Sequence, residues 1–338
     1  MPRVLCDGRA VQVRPGQRLL DALLDAGLSV PSSCRVGACQ TCLVRATNGA
    51  APAPAQAGLK DTLRAEGYFL ACVAEPEADL EITLSGAALL EVPAQIATVE
   101  IMGADVVRVV VRPDRAFAYR AGQFVTLVRA DGLARAYSLA SLPPAPGDRG
   151  TDALELHVRV LPSGRMSTWL AGPDAPGAHV RLRGPAGNCF YVAGNPTQPL
   201  VLAGTGTGLA PLWGILREAL RAGHTGPIAL WHGARVAAGL YLVDELTDLA
   251  RRHPQLDYRR CVLDGAGVDG ELSGRLDQRL LEHGPFAGHR VYLCGDPALV
   301  VELKQRLFLA GATLAEIHAD PFFTATDGSR VGMGGSIT

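Results

Sequence analysis

Lysine is almost absent from this chain. Lys60 and Lys304 are the only two, so arginine carries nearly all of the 32 positive charges that face 33 acidic ones. The formal net charge of -1 offers no basic field for a nucleic acid or an anionic membrane surface. No apolar run approaches the roughly 18 residues that span a bilayer. The opening stretch MPRVLCDGRAVQV alternates polar and apolar residues and lacks the apolar core of a signal peptide. A cytoplasmic protein is expected, with neither nucleic acid nor membrane as a partner. Cysteine is scarce as well: 8 in 338 residues are too few for a disulfide scaffold. Four of them, Cys6, Cys189, Cys261 and Cys294, are scattered and read singly as small buried hydrophobes. The length allows two or three domains, each with its own core.

The other four cysteines are grouped. Cys34, Cys39 and Cys42 stand in SCRVGACQTC with the spacing C-x4-C-x2-C, and Cys72 follows in GYFLACVAEP. A plant-type iron–sulfur cluster takes three thiolates from one tight loop and a fourth from a distant segment. Gly37 and Ala38 are small enough to let a loop wrap such a cluster and aim backbone N–H groups at its sulfurs. A structural zinc site is the alternative, although zinc sites usually pair their cysteines as C-x2-C knuckles. Around the cysteines, residues 4–6 and 10–13 read as a hairpin turning at Asp7-Gly8. RLLDALLDAGL reads as a short amphipathic helix stopped by Gly27, and residues 41–46 and 80–84 as strands. With these elements, residues 1–88 resemble the plant-type [2Fe-2S] ferredoxin domain, a β-grasp fold. The resemblance implies Cys34, Cys39, Cys42 and Cys72 as the metal ligands, with Gln40 where many relatives carry glycine.

A proline-marked link is expected near Glu91-Val92-Pro93, and beyond it the texture changes. Residues 96–102, 106–112, 124–129, 154–160 and 180–183 read as short strands at the spacing of a small antiparallel barrel. Arg135-Ala136-Tyr137-Ser138 puts a cation, a flat aromatic and a hydroxyl on one strand. Alternation sets Arg135 and Tyr137 on one face, where they can serve a phosphate and a ring system. Gly164-Arg165-Met166-Ser167 reads as a glycine turn into a helix whose free N–H groups suit a pyrophosphate. Either segment alone is as well explained by ordinary barrel structure. Together they resemble the FAD-binding domain of the ferredoxin–NADP reductase superfamily over residues 95–193, with His157-Val158-Arg159 matching the strand that lines the flavin. The resemblance implies that Arg135 and Ser167 hold the pyrophosphate, Tyr137 stacks on the flavin and Ser138 lies near its reactive N5.

From Pro199 strand–helix repeats begin, the mark of a parallel α/β sheet. The apolar LVLAG leads into Thr205-Gly206-Thr207-Gly208 and a helix over residues 209–222. Glycines at 204, 206 and 208 let the backbone approach a phosphate at the helix start, without the G-x-G-x-x-G spacing of a plain Rossmann turn. AGTGTGLAP resembles the nicotinamide-domain turn of the same superfamily, over residues 194–338. Cys294-Gly295-Asp296-Pro297 ends a later strand, and AEIHADPFF ends the last one. By the resemblance, Arg235 reads the adenosine ribose, Cys294, Gly295 and Asp296 lie beside the nicotinamide, and Asp320 and Phe322 complete the site, Phe322 covering the flavin. A core thiol at Cys294 and plain hydrophobic anchoring at Phe322 and Phe323 are the alternatives. A Gly- and Ser-rich tail, TATDGSRVGMGGSIT, follows.

The expected fold class is thus multidomain: a β-grasp ferredoxin domain, an antiparallel β-barrel FAD domain and an α/β parallel-sheet NAD domain. That order resembles the reductase component of bacterial multicomponent oxygenases, most like those serving ring-hydroxylating dioxygenases. A nicotinamide gives two electrons as one hydride, whereas a [2Fe-2S] cluster carries one, so a flavin between them converts pairs to singles. The resemblance implies Ser138, Cys294, Asp320 and Phe322 as catalytic groups. It also implies a terminal oxygenase or its ferredoxin as partner, and a monomer is expected. With no second basic residue near Arg235 in Val236-Ala237-Ala238-Gly239, NADH is expected over NADPH. Asp244 and Glu245 are the candidate acids for the ribose. Two other readings stay open: a stand-alone NADH oxidoreductase acting on a small acceptor, and a redox sensor switched by its cluster.

Overall fold

The computed structural model describes the chain apart from Ser29, Pro31, Ser33, Ala38, Cys39 and the stretches 60–62, 65–66, 85–90, 145–152, 266–269 and 324–338. Its first sheet contains β1 (Arg3–Cys6), β2 (Arg9–Gln12), β3 (Leu43–Asn48), β4 (Tyr68–Leu70) and β5 (Leu80–Thr83), in the order β2-β1-β5-β3-β4. Asp7 and Gly8 both take positive φ, so the first hairpin turns in the two residues that its sequence signals. Helix α1 (Leu19–Asp25) lays Leu19, Leu20 and Leu23 into the core of this sheet. It ends at Gly27, where Leu28 N–H reaches Leu23 O and Gly27 N–H reaches Leu24 O, the paired bonds of a Schellman cap.

The second sheet is antiparallel: β6 (Glu91–Ile101), β7 (Val106–Pro113), β8 (Phe124–Val128), β9 (Ala134–Ser138), β10 (Leu154–Arg159) and β11 (His179–Ala186), ordered β10-β7-β6-β11-β8-β9. A bridge between Leu139 and Leu156 joins its two edges and closes the barrel around Ile96, Leu127, Leu154 and Leu182. Short α2 (Arg165–Leu170) presses Met166 and Leu170 into that core. Glu91-Val92-Pro93, expected as a link, is instead the start of β6. Arg183 and Arg181 of β11 lie in register with Glu91 and Pro93, and Pro93, which has no N–H to give, accepts from Asp114 through its carbonyl.

The third sheet is parallel: β12 (Leu200–Thr205), β13 (Ile228–Ala234), β14 (Leu256–Val262), β15 (Leu272–Ser273), β16 (Arg290–Gly295) and β17 (Ile317–Pro321), ordered β15-β14-β13-β12-β16-β17. Helices α3 (Leu209–Arg221), α4 (Val243–Arg252), α5 (Leu276–Leu281) and α6 (Pro297–Leu309) accompany it. The strand order reverses between β12 and β16, and in open α/β sheets ligands bind in the crevice outside the strand ends at such a switch point. Both glycine-bearing turns of the sequence, 204–208 and 294–297, fall there.

Candidate active site

The crevice is built from a row of strand ends. Gly204 of β12 is in register with Cys294 of β16, and Cys294 with Asp320 of β17. Gly208 is required by packing: a Cβ there would lie 2.3 Å from the Cys294 carbonyl oxygen. Gly295, at φ +117, lets the chain turn against Thr205. Helix α3 starts directly after the 206–208 turn with no side-chain cap, so its first N–H groups face the crevice mouth without a side-chain acceptor. Asp296 is committed elsewhere, accepting from Leu299 N at 2.9 Å to cap α6.

Across the domain boundary, Ser138 Oγ of the barrel lies 3.4 Å from Asp320 Oδ2. Burial pushes the Asp320 carboxyl up to about 7, and the Ser138 hydroxyl offsets only part of that. Cys294 is fully buried, with its sulfur 3.5 Å from that of Cys189. Burial, then the Cys189 contact, then the negative charge of Asp320 raise this thiol well above the usual range. It is a packed neutral thiol under the row. Phe322 donates its N–H to Gly295 O at 2.8 Å, which pins the chain end over the 294–297 turn.

The flavin residues divide. Arg135 and Tyr137 are partly buried on one face of β9, with Ala136 on the other, and burial pushes the Tyr137 phenol up. Ser167 is spent on the turn itself: its hydroxyl donates to Gly164 O at 3.2 Å and accepts from Leu161 N at 3.1 Å. A phosphate at this turn would therefore meet backbone N–H groups and the exposed Arg165. A cavity of about 510 Å³ opens beside it, lined in part by Arg129, Ser163, Arg165 and Trp169. The side chains of the expected flavin strand point elsewhere. Val158 fills the barrel core, and Arg159 pairs with Asp105 at 2.9 Å. His157 lies between Glu155 and Tyr241 of the third domain, held neutral chiefly by burial.

At the far end of the crevice Arg235 donates to Asp264 Oδ2 at 2.8 Å, and Asp264 N donates back to Arg235 O at 2.7 Å. The acid beside Arg235 is thus Asp264 rather than Asp244 or Glu245, which lie in the first turn of α4. Sequence distance hid it, because Asp264 follows a different strand.

In the first domain, Cys34, Cys42 and Cys72 are 3%, 3% and 2% exposed. Cys39 lies outside the described residues. Val36 N–H points at Cys34 Sγ at 3.5 Å and Cys72 N–H at Cys42 Sγ at 3.4 Å. The hydrogen bond with Cys42, followed by one from the Gly37 backbone, lowers the Cys72 thiol against its burial. Among the described residues no three donors converge as on a single metal ion; a two-iron cluster takes only two thiolates per iron. Buried sulfurs met by backbone N–H groups fit that cluster.

Comparison with known proteins agrees with each domain. Residues 4–77 match the 2Fe-2S iron-sulfur cluster binding domain, 93–191 the oxidoreductase FAD-binding domain and 202–305 the oxidoreductase NAD-binding domain. Those matches and the crevice define a flavin- and iron–sulfur-containing oxidoreductase. Over 94% of its length the chain is 32% identical to the naphthalene 1,2-dioxygenase system ferredoxin–NAD(P)(+) reductase component of Pseudomonas putida, 97% of which is covered. It is 36% identical to the aromatic O-demethylase reductase subunit of Amycolatopsis sp. (strain ATCC 39116 / 75iv2), over 94% of this chain and 98% of that one. The crystal structure of the Amycolatopsis cytochrome P450 reductase GcoB superposes with a TM-score of 0.66 at 31% identity, covering 95% and 99% of the two chains. The chain belongs to the family of NAD(P)H-dependent reductase components of oxygenase systems. Among the described residues no helix is long and apolar enough to cross a membrane.

Proposed function

We propose that this chain takes hydride from NADH in preference to NADPH and passes single electrons to a terminal oxygenase, or to its ferredoxin, acting on an aromatic compound. It does so as a cytoplasmic monomer. The observation that carries the reading is the 3.4 Å contact between Ser138 and Asp320, which joins the flavin strand β9 to the nicotinamide crevice. Bound FAD supplies the conversion of an electron pair into single electrons. The chain's own residues do the placing. Arg135 and the 164–167 turn hold the flavin's pyrophosphate, Tyr137 lies against its ring, and the 204–208 turn takes that of the nucleotide. Ser138 and Asp320 orient and charge-match the nicotinamide, Cys294 shapes the floor beneath, and Phe322 yields its place when the nicotinamide enters. Anaerobic mixing with NADH tests this directly: flavin absorbance should bleach first and the cluster's afterwards. Simultaneous or reversed bleaching, or protein carrying zinc in place of iron, would sink the reading.

The nucleotide preference rests on the Arg235–Asp264 pair. A carboxylate there can accept from ribose hydroxyls and repels a 2′-phosphate, while it occupies the Arg235 guanidinium that would bind that phosphate. Asp264→Ala should raise kcat/KM for NADPH about tenfold, corresponding to about 1.4 kcal/mol. An unchanged NADPH/NADH ratio would remove Asp264 from the argument.

Partner docking is expected on the cluster loop near Arg35, Val36 and Gln40. Arg35 is tied back, with Nη2 2.6 Å from Asp21 Oδ1, while its carbonyl accepts from Arg18 Nη1 at 3.2 Å. With its charge matched by Asp21 the loop steers weakly, so salt should change the docking rate only modestly. Arg35→Glu should slow delivery to the protein partner and spare ferricyanide reduction, since ferricyanide takes electrons from the flavin. Equal loss of both would make Arg35 a support of the loop and not a docking residue.

A further inference from the structure

The strands that carry the flavin residues have a second face. Across the barrel, Glu91 of β6 is in register with Arg183 of β11, Arg183 with Thr126 of β8, and Thr126 with Ala136 of β9. Their sequence neighbours Val92, Leu182, Val125 and Leu127 fill the barrel core, so alternation turns Glu91, Arg183 and Thr126 outward. Yet they are only 8%, 7% and 1% exposed. Arg183 and Thr126 are met by Thr41 of the first domain, itself 0% exposed. Arg183 Nη1 donates to the Thr41 carbonyl, and the Thr41 and Thr126 hydroxyl oxygens lie 3.3 Å apart. Arg183 Nη2 also donates to Glu91 Oε1 at 2.6 Å, and Arg181 stands 2.9 Å from the other carboxylate oxygen.

Thr41 immediately precedes Cys42. The peptide group whose carbonyl Arg183 holds therefore ends in the N–H of Cys42, and the Cys42 carbonyl is held in turn by Ala71 N at 3.0 Å. We propose that Arg183 is a positioning residue for the iron–sulfur centre, docking the first domain on the barrel through Thr41 and setting the cluster's reduction potential, with Glu91 as its counterweight. The inference rests on the cluster reading of Cys34, Cys39, Cys42 and Cys72. An iron–sulfur cluster gains negative charge on reduction, and its potential follows local charge and hydrogen bonding at its sulfurs. A guanidinium on the Thr41 carbonyl draws charge through the peptide away from the ligand and favours the reduced form. A carboxylate at Glu91 opposes it, and in a site closed to water neither effect is strongly screened.

The test is a redox titration of the purified holoenzyme followed by the cluster's EPR signal, in the wild type and in Arg183→Gln, Arg183→Lys and Glu91→Gln. Arg183→Gln should lower the ratio of reduced to oxidised cluster about tenfold at the wild-type midpoint, a shift of about 59 mV for a one-electron couple. Glu91→Gln should shift it the opposite way, and Arg183→Lys should lie between wild type and Arg183→Gln. Simple loosening of the joint would move all variants in one direction, or lower iron content while the retained clusters keep their midpoint. Either outcome overturns the proposal. Should Arg183→Gln not accumulate as folded protein, the Glu91→Gln and Arg183→Lys midpoints decide alone. A wild type without an EPR-active cluster would instead bring down the cluster reading itself.

Discussion

Cys72→Ser should abolish the cluster's visible absorbance and cut electron delivery to a protein acceptor by more than the ~10–100-fold that loss of an outer-shell partner costs a metal site. By the proposed cluster reading, Cys72 is the ligand that comes from outside the 34–42 loop. It follows β4, and its N–H at 3.4 Å from Cys42 Sγ places it beside that sulfur, where both would hold a bound cluster. A serine hydroxyl matches the thiol's shape but stays protonated at neutral pH, where a thiolate is needed. Reduction of the flavin by NADH should continue at the wild-type rate, because Ser138, Asp320 and the 204–208 turn all lie in the other two domains. Ferricyanide reduction, which reads the flavin, should therefore persist while reduction of the oxygenase or its ferredoxin fails. Persisting cluster absorbance would show that another residue supplies the fourth sulfur. Parallel loss of ferricyanide reduction would mean that the substitution had unsettled the whole chain.

How much of this was legible in sequence differs between the local and the distant. The Asp7-Gly8 hairpin, the Gly27 stop and the strands at 106–112 and 154–160 follow from residues next to one another, and the structure reproduces them closely. The sulfur cluster announces itself by spacing alone. Strand β14 was not legible, because Arg259 and Arg260 interrupt its apolar pattern. There Arg259 lies over the Trp231 ring and pairs with Asp257, so a charged residue takes a half-buried strand position. Pro93 misled in the opposite sense, reading as a link where the barrel's longest strand already runs. In the site, the sequence places Ser138 and Asp320 at strand ends but cannot say that the two ends meet. Asp264, Cys189, Tyr241 and Arg183 carry no motif at all. Each matters through a partner on another strand or in another domain, at a distance along the chain that no local pattern encodes.

Asp320→Asn should make the enzyme slower and the protein more stable at the same time. As hydride leaves, the nicotinamide ring becomes positive, and a carboxylate near it stabilises that charge whereas a neutral carboxyl does not. With its carboxyl pushed up to about 7 by burial, Asp320 changes from neutral to charged across neutral pH. Flavin reduction in the wild type should accordingly accelerate as pH rises through about 7 and level off above it. The asparagine variant should show no such rise and, above neutral pH, should be roughly 10²–10³-fold slower, the typical cost of losing one preorganised electrostatic partner. Stability runs the other way. A carboxyl whose folded value lies above its usual 3.8 holds its proton more tightly in the folded chain. Its stabilising contribution is then present below the unfolded value and is lost as pH climbs through about 7. The interval between 3.8 and about 7 corresponds to at most about 4 kcal/mol. Asparagine never ionises, so the Tm difference between variant and wild type should widen in the variant's favour from acid to mildly alkaline pH. Thermal melts and stopped-flow traces on the same FAD-loaded preparations read both effects. A variant that is slow but gains no stability at alkaline pH would place the titrating charge elsewhere in the crevice. One that gains stability yet keeps the wild-type pH profile would remove Asp320 from the hydride step.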